Sequence, residues 1–141
     1  MNEENFTLSP DGELVSPDVH DAKLRGVVLV DPSKLYIPLK LVGGENICMV
    51  LRGVDRLRAD DFRQGNIVLD ITVLAHGVEA RDLSYVYGLD QPATTNVRFL
   101  AESEKEFRDG KRKLVEINAS YGCSLACTCE EIEVIYNWTV L

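Results

Sequence analysis

Basic residues are scarce in this sequence. Its 141 residues include 15 Lys and Arg against 23 Asp and Glu, which gives a formal net charge of −8 at pH 7. Nucleic acids and anionic membranes attract proteins that carry a surplus of positive charge. The composition therefore argues against both as partners, whereas a basic protein partner is compatible with it.

Long apolar runs are also lacking. No run approaches the roughly 20 residues that a membrane-spanning helix needs. Met1–Phe6 has neither the positive region nor the apolar region of a secretory signal peptide. We therefore expect a cytoplasmic protein with no membrane association. Thiols stay reduced in the cytoplasm, so the four cysteines do not predict disulfides.

Residues that commonly carry out catalysis are few. The only histidines are His20 and His76, and no Gly-x-Ser-x-Gly sequence or phosphate-binding glycine loop is present. A hydrolase built around His20, Asp21 and His76 is the weakest hypothesis, because functional groups need converging partners. We expect no enzymatic activity and no resident cofactor.

Alternation of apolar and polar residues dominates the rest of the chain. It is typical of β-strands over residues 24–30, 35–41, 67–74 and 127–136, and turn sequences recur about every 8–12 residues. The pattern predicts a mainly β fold, an antiparallel β-sandwich or partly open barrel of about 7–8 strands. Residues 79–87 predict one short helix.

The flanking regions add further expectations. Residues 1–22 contain acidic residues and neither Lys nor Arg, which predicts an acidic, partly flexible lead-in before a single β domain at 23–141. Pro38 cannot donate a ladder hydrogen bond, so its strand is expected to lie at a sheet edge or to carry a bulge. Residues 96–101 predict another strand, and residues 102–113 a charged hairpin loop.

The cysteines are unevenly distributed, because three of the four lie within seven residues. Together they supply four sulfur atoms, the number that a tetrahedral zinc site takes, but their spacing differs from that of usual zinc motifs. The favoured interpretation is buried core residues, with a metal site or redox-active thiols as alternatives. The residues concerned are Cys48, Cys123, Cys127 and Cys129.

Aromatic and acidic side chains are the candidates for a partner-binding surface. Aromatic residues often anchor protein interfaces, and an acidic loop suits a basic partner. The candidate residues are Tyr85, Trp138, Glu102, Glu104 and Glu106.

Three segments carry a resemblance to a known group of proteins. Residues 20–26 (HDAKLRG), 51–57 (LRGVDRL) and 62–70 (FRQGNIVLD) resemble small bacterial β-proteins of uncharacterised function. Some members of that group are immunity proteins of polymorphic toxin systems. The resemblance implies a stoichiometric inhibitor that blocks a toxin, and it transfers no reactive residue.

The sequence therefore supports two hypotheses of different classes. The first is a non-enzymatic protein-binding domain, in one form an immunity-like inhibitor of a basic partner, with a homo-oligomer left open. The alternative is a metal- or small-ligand-binding β-barrel that uses the cysteine cluster, with zinc as cofactor, or a cavity between its sheets.

Overall fold

The computed structural model of the chain describes residues 5–75, 78, 80–88, 105–108 and 110–139. These residues form a mainly β structure in which all strand pairs are antiparallel, as the sequence predicted. The elements are β1 (Thr7–Leu8), β2 (Leu14–Ser16), β3 (Lys23–Leu24), β4 (Val28–Val30), β5 (Lys34–Lys40), β6 (Asn46–Arg52), β7 (Arg56–Asp60), β8 (Asn66–Leu74), α1 (Ala80–Leu83), the 3₁₀ turn Lys105–Phe107, β9 (Lys113–Tyr121), β10 (Ser124–Cys129) and β11 (Glu131–Tyr136).

The main sheet has the strand order β11–β6–β5–β3–β8–β9–β10–β7, with β4 also paired to β5. We call β4, β5, β6 and β11 the first layer, and β7 to β10 the second layer. The inward side chains of both layers belong to one apolar core, with Ile37 and Met49 from the first layer and Ile71, Ile117 and Leu125 from the second. The two-residue strand β3 joins the layers on one side. β1 and β2 form a separate two-stranded sheet.

The structure has eleven strands, more than the seven or eight expected, because long stretches of strand are divided at corners. Residues 46–60 contain β6 and β7, and residues 124–136 contain β10 and β11. The two stretches pair along their whole length, but the register shifts by one residue between Arg52↔Glu131 and Arg56↔Thr128. Strands that pass from one layer to the other at a bend in this way are typical of sandwiches with crossed sheets.

Backbone hydrogen bonds continue around this corner. The N–H of Glu130 donates to the carbonyl of Arg52 at 2.9 Å, and the N–H of Asp55 donates to the carbonyl of Thr128 at 3.0 Å. Gly53 has a positive φ of 70°, and a Cβ atom there would lie 2.8 Å from the Glu130 side chain. The bend therefore depends on a residue without a side chain.

A second irregularity lies opposite Pro38. The register along β5 changes by one residue between Leu24↔Leu39 and Val28↔Tyr36, so β3 and β4 are one strand interrupted by a bulge. Pro38 is in the interior of the sheet, between β6 and the β3–β4 strand. The strand of Pro38 is therefore not at an edge, and the extra residue of the bulge lies in the neighbouring β3–β4 strand instead of in β5.

A smaller apolar cluster covers the outer face of the second layer. Leu83 and Val86, from α1 and the turn after it, pack with Phe107 against Leu114 of β9 and Ala126 of β10. The helix is shorter than the predicted 79–87. The strand predicted at 96–101 lies outside the described residues. No helix in the described ranges is both long enough and apolar enough to cross a membrane.

The predicted lead-in needs correction over residues 5–22. Phe6, Leu14, Val19 and Ala22 are buried in the main core, so these residues belong to the folded domain. These buried apolar residues are irregularly spaced among exposed acidic and polar residues, which dominate the composition and conceal the buried positions. The segment runs beside β8 instead of lying loosely on the surface.

Asn66 joins three parts of the chain from a buried position. Its Oδ1 accepts hydrogen bonds from the N–H groups of Arg63 (2.8 Å) and Cys123 (3.0 Å). Its Nδ2 donates to the carbonyls of Arg63 (2.7 Å) and Leu24 (3.4 Å). A Cβ atom on Gly122 would lie 2.4 Å from Oδ1, so glycine is required for this contact. The amide fixes the β7–β8 and β9–β10 connections relative to β3.

We predict that Asn66→Ala lowers the free energy of unfolding by about 2 kcal/mol or more, because buried N–H groups lose their acceptor. Chemical denaturation measures this change. Asn118→Ala is the control, since the Asn118 amide donates to Asp70 at 2.7 Å on the exposed surface, and there we expect a loss below about 0.5 kcal/mol. Equal losses in the two variants would contradict a structural role specific to Asn66.

Candidate functional site

Strand β4 exposes apolar side chains on both of its faces. Val28, Leu29 and Val30 are 49%, 53% and 37% exposed. Leu29 lies on the core side of the sheet, opposite the fully buried Leu35, whereas Val28 and Val30 lie on the outer side. A short, uncharged strand of this kind is an unusual surface, because exposed strand edges normally carry charged residues.

The free edge of β4 also carries backbone groups that face away from the sheet. The N–H of Arg25 donates to the carbonyl of Pro38 at 2.9 Å, so the Pro38 carbonyl points toward the β3–β4 strand. Residues two apart on a strand direct their backbone groups to the same side, so the N–H and C=O of Tyr36 point toward that strand as well. Val28 pairs with Tyr36 and points its own groups at β5. The next residue, Leu29, therefore directs its N–H and C=O to the side where no described residue pairs with β4.

Two other edges are covered by the chain itself. On β11, the side-chain amide of Asn5 binds both the N–H and the carbonyl of Val134, and the Tyr136 hydroxyl donates to the Asn5 carbonyl at 2.7 Å. On β8, the N–H of Val73 donates to the carbonyl of Gly12 at 2.7 Å, and the N-terminal segment continues along the strand. These contacts occupy both backbone groups of Val134 on β11 and the N–H of Val73 on β8.

The edge of β7 is protected by charge. Arg56 and Arg58 alternate along this strand, and their guanidinium groups lie over the rings of Tyr87 (5.0 Å) and Tyr85 (4.2 Å). Charged side chains on an edge strand oppose pairing with another chain. Compared with β7, β8 and β11, the described part of β4 has neither a chain segment bound along its edge nor a charged side chain.

A pocket of about 560 Å³ opens beside β4. Trp138 forms part of the pocket wall and is half-buried. The backbone N–H of Trp138 donates to the carbonyl of Asn46 at 3.0 Å. Apolar and polar side chains both line the pocket, which is typical of sites that accept a side chain or a small ligand. The lining residues are Arg25, Gly26, Val28, Pro38, Leu39, Lys40, Asn46, Ile47, Trp138 and Thr139.

Of the two aromatic residues predicted to contact a partner, Trp138 lies next to β4 and Tyr85 does not. The Tyr85 hydroxyl donates to Asp60 Oδ2 at 2.6 Å, and Arg58 binds both Asp60 and the Tyr85 carbonyl. Burial, and then the hydrogen bond to Asp60, raise the pKa of Tyr85 to about 12. The hydroxyl of Tyr85, and then Arg58, lower the pKa of Asp60. Tyr85 is thus engaged within the domain.

The acidic candidates lie mostly beyond what the structure describes. Glu102 and Glu104 are outside the described residues, and Glu106 is described only as part of the 3₁₀ turn Lys105–Phe107. Their contact with a partner stays a prediction.

The four cysteines do not converge. Cys123, Cys127 and Cys129 are buried in the main core, where the sequence placed Cys127 and Cys129. Cys48 is also buried, but it alternates with the core residue Met49 in β6 and therefore lies on the opposite face of that strand. The set of four sulfur ligands considered for zinc is divided between two faces of a sheet.

His20 and Asp21 form a surface contact beside β8. Nδ1 of His20 lies 2.9 Å from the carbonyl of Leu69, and Nε2 lies 3.7 Å from Asp21 Oδ2. The Leu69 carbonyl, and then the Asp21 carboxylate, raise the pKa of His20. Both side chains are more than half exposed. His76, the third member of the hydrolase hypothesis, lies outside the described residues.

The strand that contains β4 could be predicted from the sequence, but its exposure could not. Residues 27–30 are four consecutive aliphatic residues, a pattern that also fits a strand buried on both faces. Pro38 on the neighbouring strand is the signal that distinguishes an exposed edge strand from a strand buried on both faces. It marks the point where the pairing of β5 with the β3–β4 strand becomes irregular.

No protein-family model, curated protein or solved structure matches this chain. Its function is therefore argued from the chemistry of the β4 surface and the pocket beside it.

We predict that the thiols of the folded protein react with an aromatic disulfide reagent at pH 8 more than about 100-fold slower than free cysteine. Burial raises the pKa of Cys48 to about 11 and that of Cys129 to about 12, and it raises the pKa of Cys127 as well. Absorbance of the released thiolate measures the rate, and four thiols are expected to react after denaturation.

A metal chelator provides the control for this experiment. The reaction of core thiols is unchanged by chelation, whereas thiolates that bind zinc become reactive when the metal is removed. Acceleration by the chelator, together with release of zinc, would contradict the core interpretation.

We predict that Tyr85→Phe raises the pKa of Asp60 toward its ordinary value, because the carboxylate loses its shortest hydrogen bond. The stabilisation that Asp60 contributes exists above the unfolded-state pKa and is lost as pH falls through the folded-state pKa. The variant therefore loses less stability on acidification than the wild type. Carboxyl-carbon NMR titration measures the pKa directly.

Tyr136→Phe is the matched control, because its hydroxyl donates to the Asn5 carbonyl, away from Asp60. We expect the pKa of Asp60 to be unchanged in that variant. An unchanged pKa in Tyr85→Phe would show that the hydrogen bond to Asp60 does not persist in solution.

Proposed function

We propose that this chain is a non-enzymatic protein-binding domain and that it binds its partner along the open edge of β4. The observation that carries the proposal is the combination of an outward-facing N–H and C=O on Leu29 with exposed aliphatic side chains on both faces of the strand. Addition of a partner's strand to a free sheet edge uses both features, since backbone hydrogen bonds give affinity and side-chain pockets give specificity.

The pocket beside Trp138 supports the same proposal. Val28 contributes to both the edge and the pocket, so a strand added to β4 lies next to the pocket opening. An aromatic side chain that is half-buried before binding can be fully buried with little loss of side-chain entropy, and such residues commonly dominate interface energies. Trp138 thereby keeps the role predicted from the sequence.

The charge of the chain favours a basic partner. A net charge of −8 accelerates association with a positively charged protein and slows it with nucleic acid. Immunity-like inhibition of a basic toxin in the cytoplasm is the specific form that the sequence resemblance implies. In this form the apolar edge of β4 provides the binding affinity, and the acidic surface increases the association rate.

A photoreactive amino acid at position 29 tests the proposal in cells that naturally contain the protein. We expect cross-linking to a discrete protein, whose affinity for the purified chain is then measured by calorimetry. Leu29→Lys is expected to weaken binding about tenfold or more, because a charge is placed in an apolar contact.

Position 42 provides the control, because Val42 is 74% exposed and lies in the turn between β5 and β6. The photoreactive residue there should give no cross-link to that protein, and Val42→Lys should leave the affinity unchanged. Binding that survives Leu29→Lys, or the same cross-linking from both positions, would contradict a site on β4.

A further inference from the structure

The pocket beside β4 is positively charged, although the protein as a whole is acidic. Two of its lining residues, Arg25 and Lys40, are basic, and none of the described residues that line it is acidic. A second pocket, of about 490 Å³, has the opposite character, because it is lined by Asp18, Asp21 and Glu45 and by no described Lys or Arg. The pocket beside β4 therefore favours anions in a chain whose net charge is −8.

Strand pairing places the two basic residues on one face of the sheet. Lys40 pairs with Lys23. The N–H of Arg25 donates to the carbonyl of Pro38, so Arg25 lies opposite Pro38. Arg25 and Lys40 are therefore diagonal neighbours on two paired strands, and such positions are about 7–8 Å apart. Leu39 points into the core, so Pro38 and Lys40 on either side of it face outward. One anion can reach both cations from the outer face.

The two cations have no partner of their own in the described part of the chain. Arg25 and Lys40 are exposed, and neither side chain forms an ion pair or a hydrogen bond with a described residue. A bound anion relieves the repulsion between them and accepts charge-assisted hydrogen bonds. A carboxylate suits this pair, because the planar guanidinium of Arg25 binds two oxygens and the ammonium of Lys40 adds a donor.

The remaining walls favour an apolar body for the ligand. Val28, the buried Pro38 and the half-buried Trp138 all line the pocket. The strands β5 and β6 lie between Arg25 and Trp138, so three strand spacings, about 14 Å, separate these residues. A flat ring fits against the indole of Trp138, because aromatic rings stack on one another. The volume of about 560 Å³ lies in the range of ligand pockets, roughly 300–1,000 Å³.

These features together define a ligand class. We infer that the pocket binds a small aromatic carboxylate, whose acid group lies between Arg25 and Lys40 and whose ring packs against Trp138. The inference goes beyond the proposed function, because it concerns a small molecule in the pocket and needs neither a partner protein nor the backbone groups of β4.

Fluorescence of Trp138 tests the inference, because this residue is the sole tryptophan of the chain and lines the pocket. We expect 3-phenylpropionate to change the emission in a saturable way, with a Kd of about 1 mM or tighter. The neutral amide of the same shape, 3-phenylpropanamide, should bind about tenfold more weakly or worse, because it lacks the charge. Arg25→Gln and Lys40→Gln should each weaken binding of the acid about tenfold.

Lys34→Gln is the matched control. Lys34 lies on the same strand and the same face as Lys40 but does not line the pocket. Its replacement removes the same charge from the protein and should leave the affinity for 3-phenylpropionate unchanged. Circular dichroism confirms that each variant is folded.

Three results overturn the inference. The first is the absence of a saturable change in emission with 3-phenylpropionate. The second is equal binding of the acid and its amide, or equal weakening by Lys34→Gln and Lys40→Gln, because the two basic residues of the pocket would then have no specific role. The third is inorganic phosphate that competes as well as 3-phenylpropionate binds, because the aromatic ring would then add nothing. The proposed function fails separately, since cross-linking from position 29 is measured without added acid.

Discussion

Backbone N–H and C=O groups need hydrogen-bond partners, and a sheet that does not close leaves such groups at its edges. The fold of this chain can be understood as a series of solutions to that constraint. Asn5 supplies a side-chain amide to β11, the N-terminal segment supplies backbone to β8, and the arginines of β7 repel an added strand. Among the described residues no strand pairs with the outer edge of β4, and β4 itself carries no charged side chain.

The two corners explain how the edges arise. At Gly53 and Glu130, two paired stretches of chain bend together, and their hydrogen bonds continue from one layer to the other. At the bulge opposite Pro38, the bend affects a single strand. β3 is paired on both sides, with β5 and β8, whereas in the described part of the chain β4 is paired with β5 alone. The corner at Gly53 and Glu130 therefore preserves the pairing between strands, whereas the bulge opposite Pro38 ends the pairing of the β3–β4 strand with β8.

Much of the fold could be predicted from local sequence patterns. Period-two alternation identified the antiparallel β-class, and the spacing of Cys127 and Cys129 indicated their shared, buried face. The corners could not be predicted. A one-residue shift in strand register leaves the alternation of apolar and polar residues almost unchanged on either side of the shift. The burial of Phe6 and Val19 was also missed, because isolated apolar residues in an acidic segment form no period.

The candidate site was less predictable than the fold for a related reason. Trp138 could be selected as an exposed aromatic residue from its type, but its proximity to β4 depends on the pairing of β6 with both β5 and β11. Exposure of Leu29 depends on which strands lie beside it, and that is a long-range property. The same argument applies to Cys48, whose distance from the other thiols follows from its face of β6.

The proposed binding surface would owe its specificity to the short length of β4. A longer open strand would pair with many extended segments and would promote aggregation. Three exposed residues offer few backbone hydrogen bonds, so the proposed contact would also need to bury side chains in the pocket beside β4. The bulge that ends pairing with β8 also limits the edge to this length. The bulge opposite Pro38 thus accounts for both the open edge of β4 in the described structure and the short length of that edge.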